Sequence, residues 1–295
     1  MSSEWGVSLT MLFASFIAGA TSLGGGAVAF PVLTKVLEIL PHNAMLFSIA
    51  IQSVGMTAAS VLIYANRIKV QFTLLPITFL GGMCGFTSCY FLIRPLVAPS
   101  SIKYMFTVFS ILIVIFLLIQ VLKSNKSAKS TLRTKITTPC LFITGFIGGL
   151  ITSFIGTGAD FVFFTLLSFV YSYDIKSSTA TSVIIMALIS VYASVLLSIT
   201  TDVFTPEIRS MWLAAIPVVI IGAPLGAYFC KRVNEKIIVG IVFILVLAEA
   251  VSTFLLVPIV KQTFVFILVI AIVCLFFVLI LKNNHIKQEN DIESI

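Results

Sequence analysis

The sequence predicts an all-α integral membrane protein. Its expected plan is two inverted repeats, each a broken half-length helical hairpin plus three transmembrane helices, with one extra C-terminal transmembrane helix. Three observations predict it. Only 10% of the 295 residues are charged and 59% are hydrophobic, whereas a soluble domain carries roughly 25% charged residues. Most of this chain's surface therefore has only lipid to face. Apolar runs of about 20 residues, enough to cross a ~30 Å hydrocarbon core, recur from Val7 almost to Leu281. Two longer apolar stretches are interrupted by glycine near their middles.

The first of these, Val7–Leu40, is too long for one comfortable span and short for two. It breaks at Leu23-Gly24-Gly25-Gly26-Ala27. Spans at Asn43–Asn66, Phe72–Ile93 and Lys103–Leu122 complete a first repeat of residues 7–122. A basic linker, 123–137, follows. The second broken stretch, Pro139–Tyr173, carries Ile155-Gly156-Thr157-Gly158-Ala159-Asp160. Spans at Ser178–Thr200, Met211–Cys230 and Ile237–Val257 complete a second repeat of residues 138–257, and Thr263–Leu281 is the extra helix. No stretch is polar enough for a separate soluble domain, so residues 1–295 read as one transmembrane domain. Glycine permits backbone conformations that end helices. Irregular backbone at depth is tolerated only where protein or water shields it. Each broken stretch is therefore expected to enter and leave on the same side.

Charge placement supports that expectation. With both stretches as hairpins, one face collects 13 of the 18 Lys and Arg residues, among them Arg67, Lys69, Lys176 and the 123–135 group. The other face keeps Lys35, Arg94, Lys103, Arg209 and Lys261. With both as single spans the division is 9 against 9. Positive residues favour the cytoplasmic side. The lopsided arrangement places the linker and C-terminus in the cytoplasm and the N-terminus outside, in a multi-pass protein of the cell membrane. The net charge of +7 thus reports topology and not a nucleic-acid partner. Met1-Ser2-Ser3-Glu4 lacks a basic n-region, so the first apolar run is read as mature protein. The five cysteines lack ligand-like spacing, so neither a metal nor a cofactor is expected.

The halves also match internally. Thr21-Ser22-Leu23 and Thr152-Ser153-Phe154 precede the two breaks, and Ala44-x3-Ser48 and Ser178-x3-Ser182 open the next spans. Pro76-x4-Gly81-x3-Gly85 matches Pro217-x4-Gly222-x3-Gly226 at an offset of 141. Those four glycines are expected to let helices pack closely. A hairpin plus three spans crosses the membrane an odd number of times, so the second copy must be inverted, a recurrent plan of secondary transporters.

With these features in view the chain resembles the TauE/SafE family of membrane permeases over nearly its whole length. The sharpest points are Gly19-Ala20-Thr21-Ser22-Leu23-Gly24-Gly25-Gly26 with Pro31, and Gly145-x2-Gly148-Gly149 leading to Gly156-Thr157-Gly158. The resemblance implies carriage of small organosulfur or sulfur oxyanions, such as sulfite, sulfoacetate and thiosulfate. Export is the usual implication, and import is ascribed to some members. The sequence departs from the family pattern at Gly158-Ala159-Asp160, where a carboxylate stands in place of a small residue. That departure bears on how the substrate's charge is balanced.

An anion leaving water needs donors. Glycine-rich breaks offer unobstructed N–H groups, and the half-helix after each break adds its positive dipole end. The expected substrate site comprises Thr21, Ser22, Gly24, Gly25 and Gly26 at the first break, and Thr152, Ser153, Gly156, Thr157 and Gly158 at the second. Ser48 with Gln52, and Ser182 with Ser178, share helix faces expected opposite the breaks. The alternative for each hydroxyl is a bond to its own helix backbone. No Lys or Arg is expected deep in a span. An ionised carboxylate at membrane depth is costly, so Asp160 and Glu249 are candidates for coupling by a proton or another cation. Capping of the half-helix is the alternative for Asp160, and a polar contact between helices for Glu249.

Two rival classes share some of these features. An anion channel also uses irregular backbone. An intramembrane aspartyl protease would need two facing aspartates, but Asp160 has one residue too many after its glycines and Asp174 falls at a loop. A membrane carrier, and not an enzyme, is therefore the expectation, with a small anionic organosulfur compound and membrane lipid as partners.

Overall fold

The computed structural model describes residues 2–20, 26–124, 137–171, 173–200, 205–233 and 235–257. All regular structure there is helical. The first half comprises α1 (Ser2–Ala20), α2 (Gly26–Pro31, continued by a π turn Val32–Val36), α3 (Pro41–Ala65), α4 (Leu75–Ser88, continued by a π turn Cys89–Ile93) and α5 (Pro99–Ser124). The second comprises α6 (Thr138–Ile155), α7 (Ala159–Thr165, continued by a π turn Leu166–Val170), α8 (Ile175–Thr200), α9 (Pro206–Arg232) and α10 (Glu235–Leu256). Among the described residues, five helices are long and apolar enough to cross a membrane. The expected extra helix Thr263–Leu281 and most of the 123–137 linker lie outside the described residues.

Helix ends follow local chemistry. Proline stands in the first turn of α3, α6 and α9, where its missing N–H costs nothing. Thr205 caps α9 by accepting from the Ile208 N–H. Two prolines inside α9, Pro217 and Pro224, fit a membrane helix, in which neighbours can re-satisfy freed backbone groups.

Both broken stretches turn back, but not as half-length hairpins. The first arm of the second hairpin, α6, has 18 residues, about 27 Å, and is itself long enough to span. Its return arm ends at Val170. The Tyr171 hydroxyl then donates to Cys140 Sγ at 3.5 Å, close to where α6 began. In the first hairpin, α1 has 19 residues and the return arm likewise ends in a π turn. The arms are unequal because glycine marks where a helix ends, not how deep that end lies. Both return arms close in the same way. Leu37 and Ile39 donate to Val32 and Leu33, and Tyr171 and Tyr173 donate to Leu166 and Leu167, a constant offset of 134.

Packing follows a swap pattern. α1 lies along α9, α6 along α4, α3 against α8, and α5 against α10. The glycines with the 141 offset build two of these seams. A Cβ on Gly81 or Gly85 would lie 2.1 or 2.0 Å from the carbonyl oxygens of Phe142 and Phe146. Gly226 would meet the Phe16 carbonyl at 1.9 Å, and Gly222 the Ser15 hydroxyl at 2.0 Å. Only glycine lets these backbones approach so closely. α3 and α8 run antiparallel, since Gln71, beyond the end of α3, donates its backbone N–H to the Thr181 hydroxyl near the start of α8. Large apolar side chains such as Ile199 and Leu255 point outward, as a lipid-facing surface requires.

Candidate substrate site

The second break is the best-defined polar site. α6 ends at Gly156, whose φ of 78° is left-handed, and Gly158 follows at φ 130°. A side chain at either position would be strained, because only glycine enters these regions freely. Space is short as well, since a Cβ at Gly156 would sit 2.7 Å from Ser48 Cβ and 2.8 Å from the Met45 carbonyl. α3 is thus pressed against the break, and Gln52 Nε2 donates to the Gly156 carbonyl at 2.6 Å. That bond satisfies a carbonyl freed where the helix stops.

Thr152 clips the break shut. Its hydroxyl donates to the Gly148 carbonyl at 2.8 Å and accepts from the Ala159 N–H at 3.2 Å. Ser153 donates to Leu150 within its own helix, the expected alternative for a lone hydroxyl. Asp160 is fully buried in the first turn of α7. Its Oδ1 accepts from the Phe161 N–H at 3.0 Å, so one carboxylate oxygen already takes a donor at the positive end of the half-helix. Phe109 of α5 covers this end, its ring edge-on to Phe161 at 5.5 Å.

Among the described residues, four polar atoms around the break have no hydrogen-bond partner: Ser48 Oγ, Gln52 Oε1, Thr157 Oγ1 and Asp160 Oδ2. All four residues are buried. Buried polar atoms are almost always paired, at a cost of about 1–3 kcal/mol each when they are not. Such a cluster around one backbone break calls for a completing solute. Residues 152–167 are all buried, so this conformation closes the site.

The other expected residues fall elsewhere. Thr21, Ser22, Gly24 and Gly25 lie outside the described residues, and Gly26 opens α2. Ser182 is buried and bonded to Thr179 of its own helix, while Ser178 Oγ, one turn earlier, has no partner. Gly19 packs on Ala223, which also approaches Gly55. Gly55 lies seven residues beyond Ser48, about 10 Å along α3. The end of α1 and the second break are therefore at different levels.

Glu249 belongs to a separate cluster, in which a cation with a buried side chain faces it. Lys35, at the end of the first return arm, is buried and pairs with Glu249 Oε1 at 2.8 Å. It also donates to Ser252 and Thr253. Thr107 of α5 and Thr253 donate to the same Glu249 oxygen. Linear spacing cannot show this contact, because Lys35 and Glu249 lie 214 residues apart in the sequence. The signal was Glu249 itself, since a carboxylate at membrane depth needs a partner. Sequence reasoning also missed a cavity of about 520 Å³ between α3, α8 and α9, lined by Ser53, Ser194, Ser198, Arg209 and Trp212.

The family model Sulfite exporter TauE/SafE matches residues 7–253. The chain belongs to this family. Among curated proteins no match was found, and among solved structures none was found either. As a TauE/SafE protein the chain is a multi-pass membrane protein of a transporter family, and the matched span runs from α1 nearly to the end of α10. It therefore covers both breaks and the Lys35–Glu249 pair. In this TauE/SafE chain the glycines of the α4–α6 seam have a direct geometric role, since a Cβ on Gly145 or Gly149 would lie 2.0 or 2.1 Å from the Thr78 and Gly82 carbonyl oxygens.

Proposed function

We propose that this TauE/SafE protein is a secondary transporter. Its cargo is a small organosulfur or sulfur oxyanion, such as sulfite or sulfoacetate, moved across the cytoplasmic membrane by alternating access. The observation that carries the proposal is the cluster of partnerless polar atoms at the second break. Ser48 and Thr157 hydroxyls can donate to sulfonate or sulfite oxygens, and the glycine backbone leaves room for them. Burial of the whole break supports a carrier that occludes its solute over an open pore.

Asp160 is the proposed coupling group. As a carboxylate it would repel an arriving anion. With a proton on Oδ2, the oxygen without a partner, it becomes a donor aimed at the break. Anion and proton would then bind together and cross together. Glu249 enters only through its ion pair with Lys35, which a coupling role would have to break. The antiparallel α3 and α8 and the exchanged seams support inverted repeats over residues 7–122 and 138–257. The 13 to 5 distribution of Lys and Arg supports a cytoplasmic linker and C-terminus with the N-terminus outside.

The test is a flux screen of sulfite, sulfoacetate, thiosulfate, taurine and oxalate with purified protein in liposomes. Saturable flux of a sulfur oxyanion, with co-moving protons, is expected. Unitary currents, or no flux of any of the five, would overturn the proposal.

A further inference from the structure

The basic loops mark topology, and three of their cations also share one cavity. It measures about 370 Å³ and lies between the α3–α4 connection, the start of α8 and the ends of α1 and α9. Arg67, Lys69 and Lys176 stand at its exposed rim, while Gly19, Ala180 and Ala227 form a buried floor of small side chains. Among the described residues, Asp174 is the one carboxylate lining it, and its Oδ1 is engaged by the Ser177 N–H at 2.8 Å as a cap of α8. The lining is thus net positive, and it includes Gly19, one residue before α1 ends.

Arg67 is held there at a cost. Its φ is 52°. The Ile68 N–H donates to Ile63 and the Arg67 N–H to Tyr64, which is a Schellman ending with arginine where glycine is the usual residue. A side chain in this conformation is disfavoured, and an outlier of this kind is a pointer to function. Gln71 then ties the loop to α8 through the Thr181 hydroxyl at 3.2 Å, which sets Lys69 beside the start of α8.

We propose that this cavity is a recruitment site for small oxyanions on the face that carries Arg67. The site rests on the anion-transport reading given above. Its ligands are compact, oxygen-rich anions such as sulfite or an alkyl sulfonate, drawn in by the cationic rim and released inward because no cation lines the floor. A charged funnel of this kind raises the local anion concentration and acts through ionic strength.

The test uses full-length protein of fixed orientation in neutral phosphatidylcholine liposomes, with initial rates of sulfite flux measured in both directions. Replacing Arg67, Lys69 and Lys176 together by Gln should raise KM about fivefold or more for sulfite presented on that face. It should leave kcat and the opposite direction unchanged and flatten the salt dependence. Arg67→Gly separates recruitment from folding, since it should raise the thermal midpoint by relieving the left-handed strain while still raising KM. Unchanged KM and salt dependence in the triple variant, with a wild type that does transport sulfite, would overturn the site alone. A wild type that moves no sulfur oxyanion would remove the transport reading and the site with it. If the KM change appears only after anionic phosphatidylglycerol is added, the cations read lipid headgroups and the proposal falls.

Discussion

The Lys35–Glu249 pair offers a quantitative test of how the first hairpin is held. Two unit charges 2.8 Å apart attract by about 6 kcal/mol at an effective dielectric near 20. Desolvation of both groups consumes much of this. Removing one partner leaves the other buried and uncompensated, which costs about 3–5 kcal/mol. Glu249→Gln preserves an oxygen for the Thr107 and Thr253 hydroxyls, so its cost should be almost wholly that of stranding Lys35. Lys35→Met strands Glu249 in turn. The double variant strands nothing and should lie within about 1 kcal/mol of wild type, as replaced buried pairs often do. The double-mutant cycle should therefore give a coupling energy of roughly 3 kcal/mol or more. The assay is thermal unfolding of purified protein in detergent, where each single variant should melt roughly 6–10 °C lower at about 2 °C per kcal/mol. If the double variant falls by the sum of the singles, the ion pair is not what anchors the return arm to α10.

Other perturbations separate structure from transport. Gly156→Ala combines the left-handed penalty of about 1–2 kcal/mol with a clash against the Met45 carbonyl, at about 1–3 kcal/mol for overpacking. It should lower the thermal midpoint and abolish sulfite flux. Gly85→Leu and Gly226→Leu should each force their seam apart by about 1 Å, since a Cβ at 2.0 or 1.9 Å needs at least 3.0 Å. Both should reduce the yield of monodisperse protein in size-exclusion chromatography to a similar extent. Asp160→Asn should retain binding, because the amide is still a donor, but make flux independent of pH and stop sulfite-driven proton movement read with a pH-sensitive dye. An unchanged pH profile would remove Asp160 from coupling.

Much of this architecture was legible in the sequence because membranes leave few options. Apolar runs of span length announce helices, and α3, α8 and α9 fall within a few residues of where the runs place them. The glycine pairs were legible too, since spacing of four along a helix puts both on one face. Arm length was not. Gly156 shows where α6 stops, but the apolar residues before it read the same whether the arm reaches halfway or across. Lys35 was opaque for a related reason, because its burial depends on α10, more than two hundred residues later. At the second break Ser48 and Gln52 share the face of α3 that meets Gly156, whereas the division among hydroxyls is not visible in the sequence. Thr152 bridges the break and Ser153 merely bonds Leu150, a distinction set by which way each points around α6.

The exchanged seams carry a consequence for biogenesis. α1 packs along α9, which leaves the ribosome almost two hundred residues after it. Until then its glycine-lined flank has no match, and α4 likewise waits for α6. Neither half can complete its packing alone, so insertion and assembly are separated in time. Fragments cut in the 125–136 segment and co-expressed should find one another in the bilayer, while either fragment by itself should be cleared by quality control.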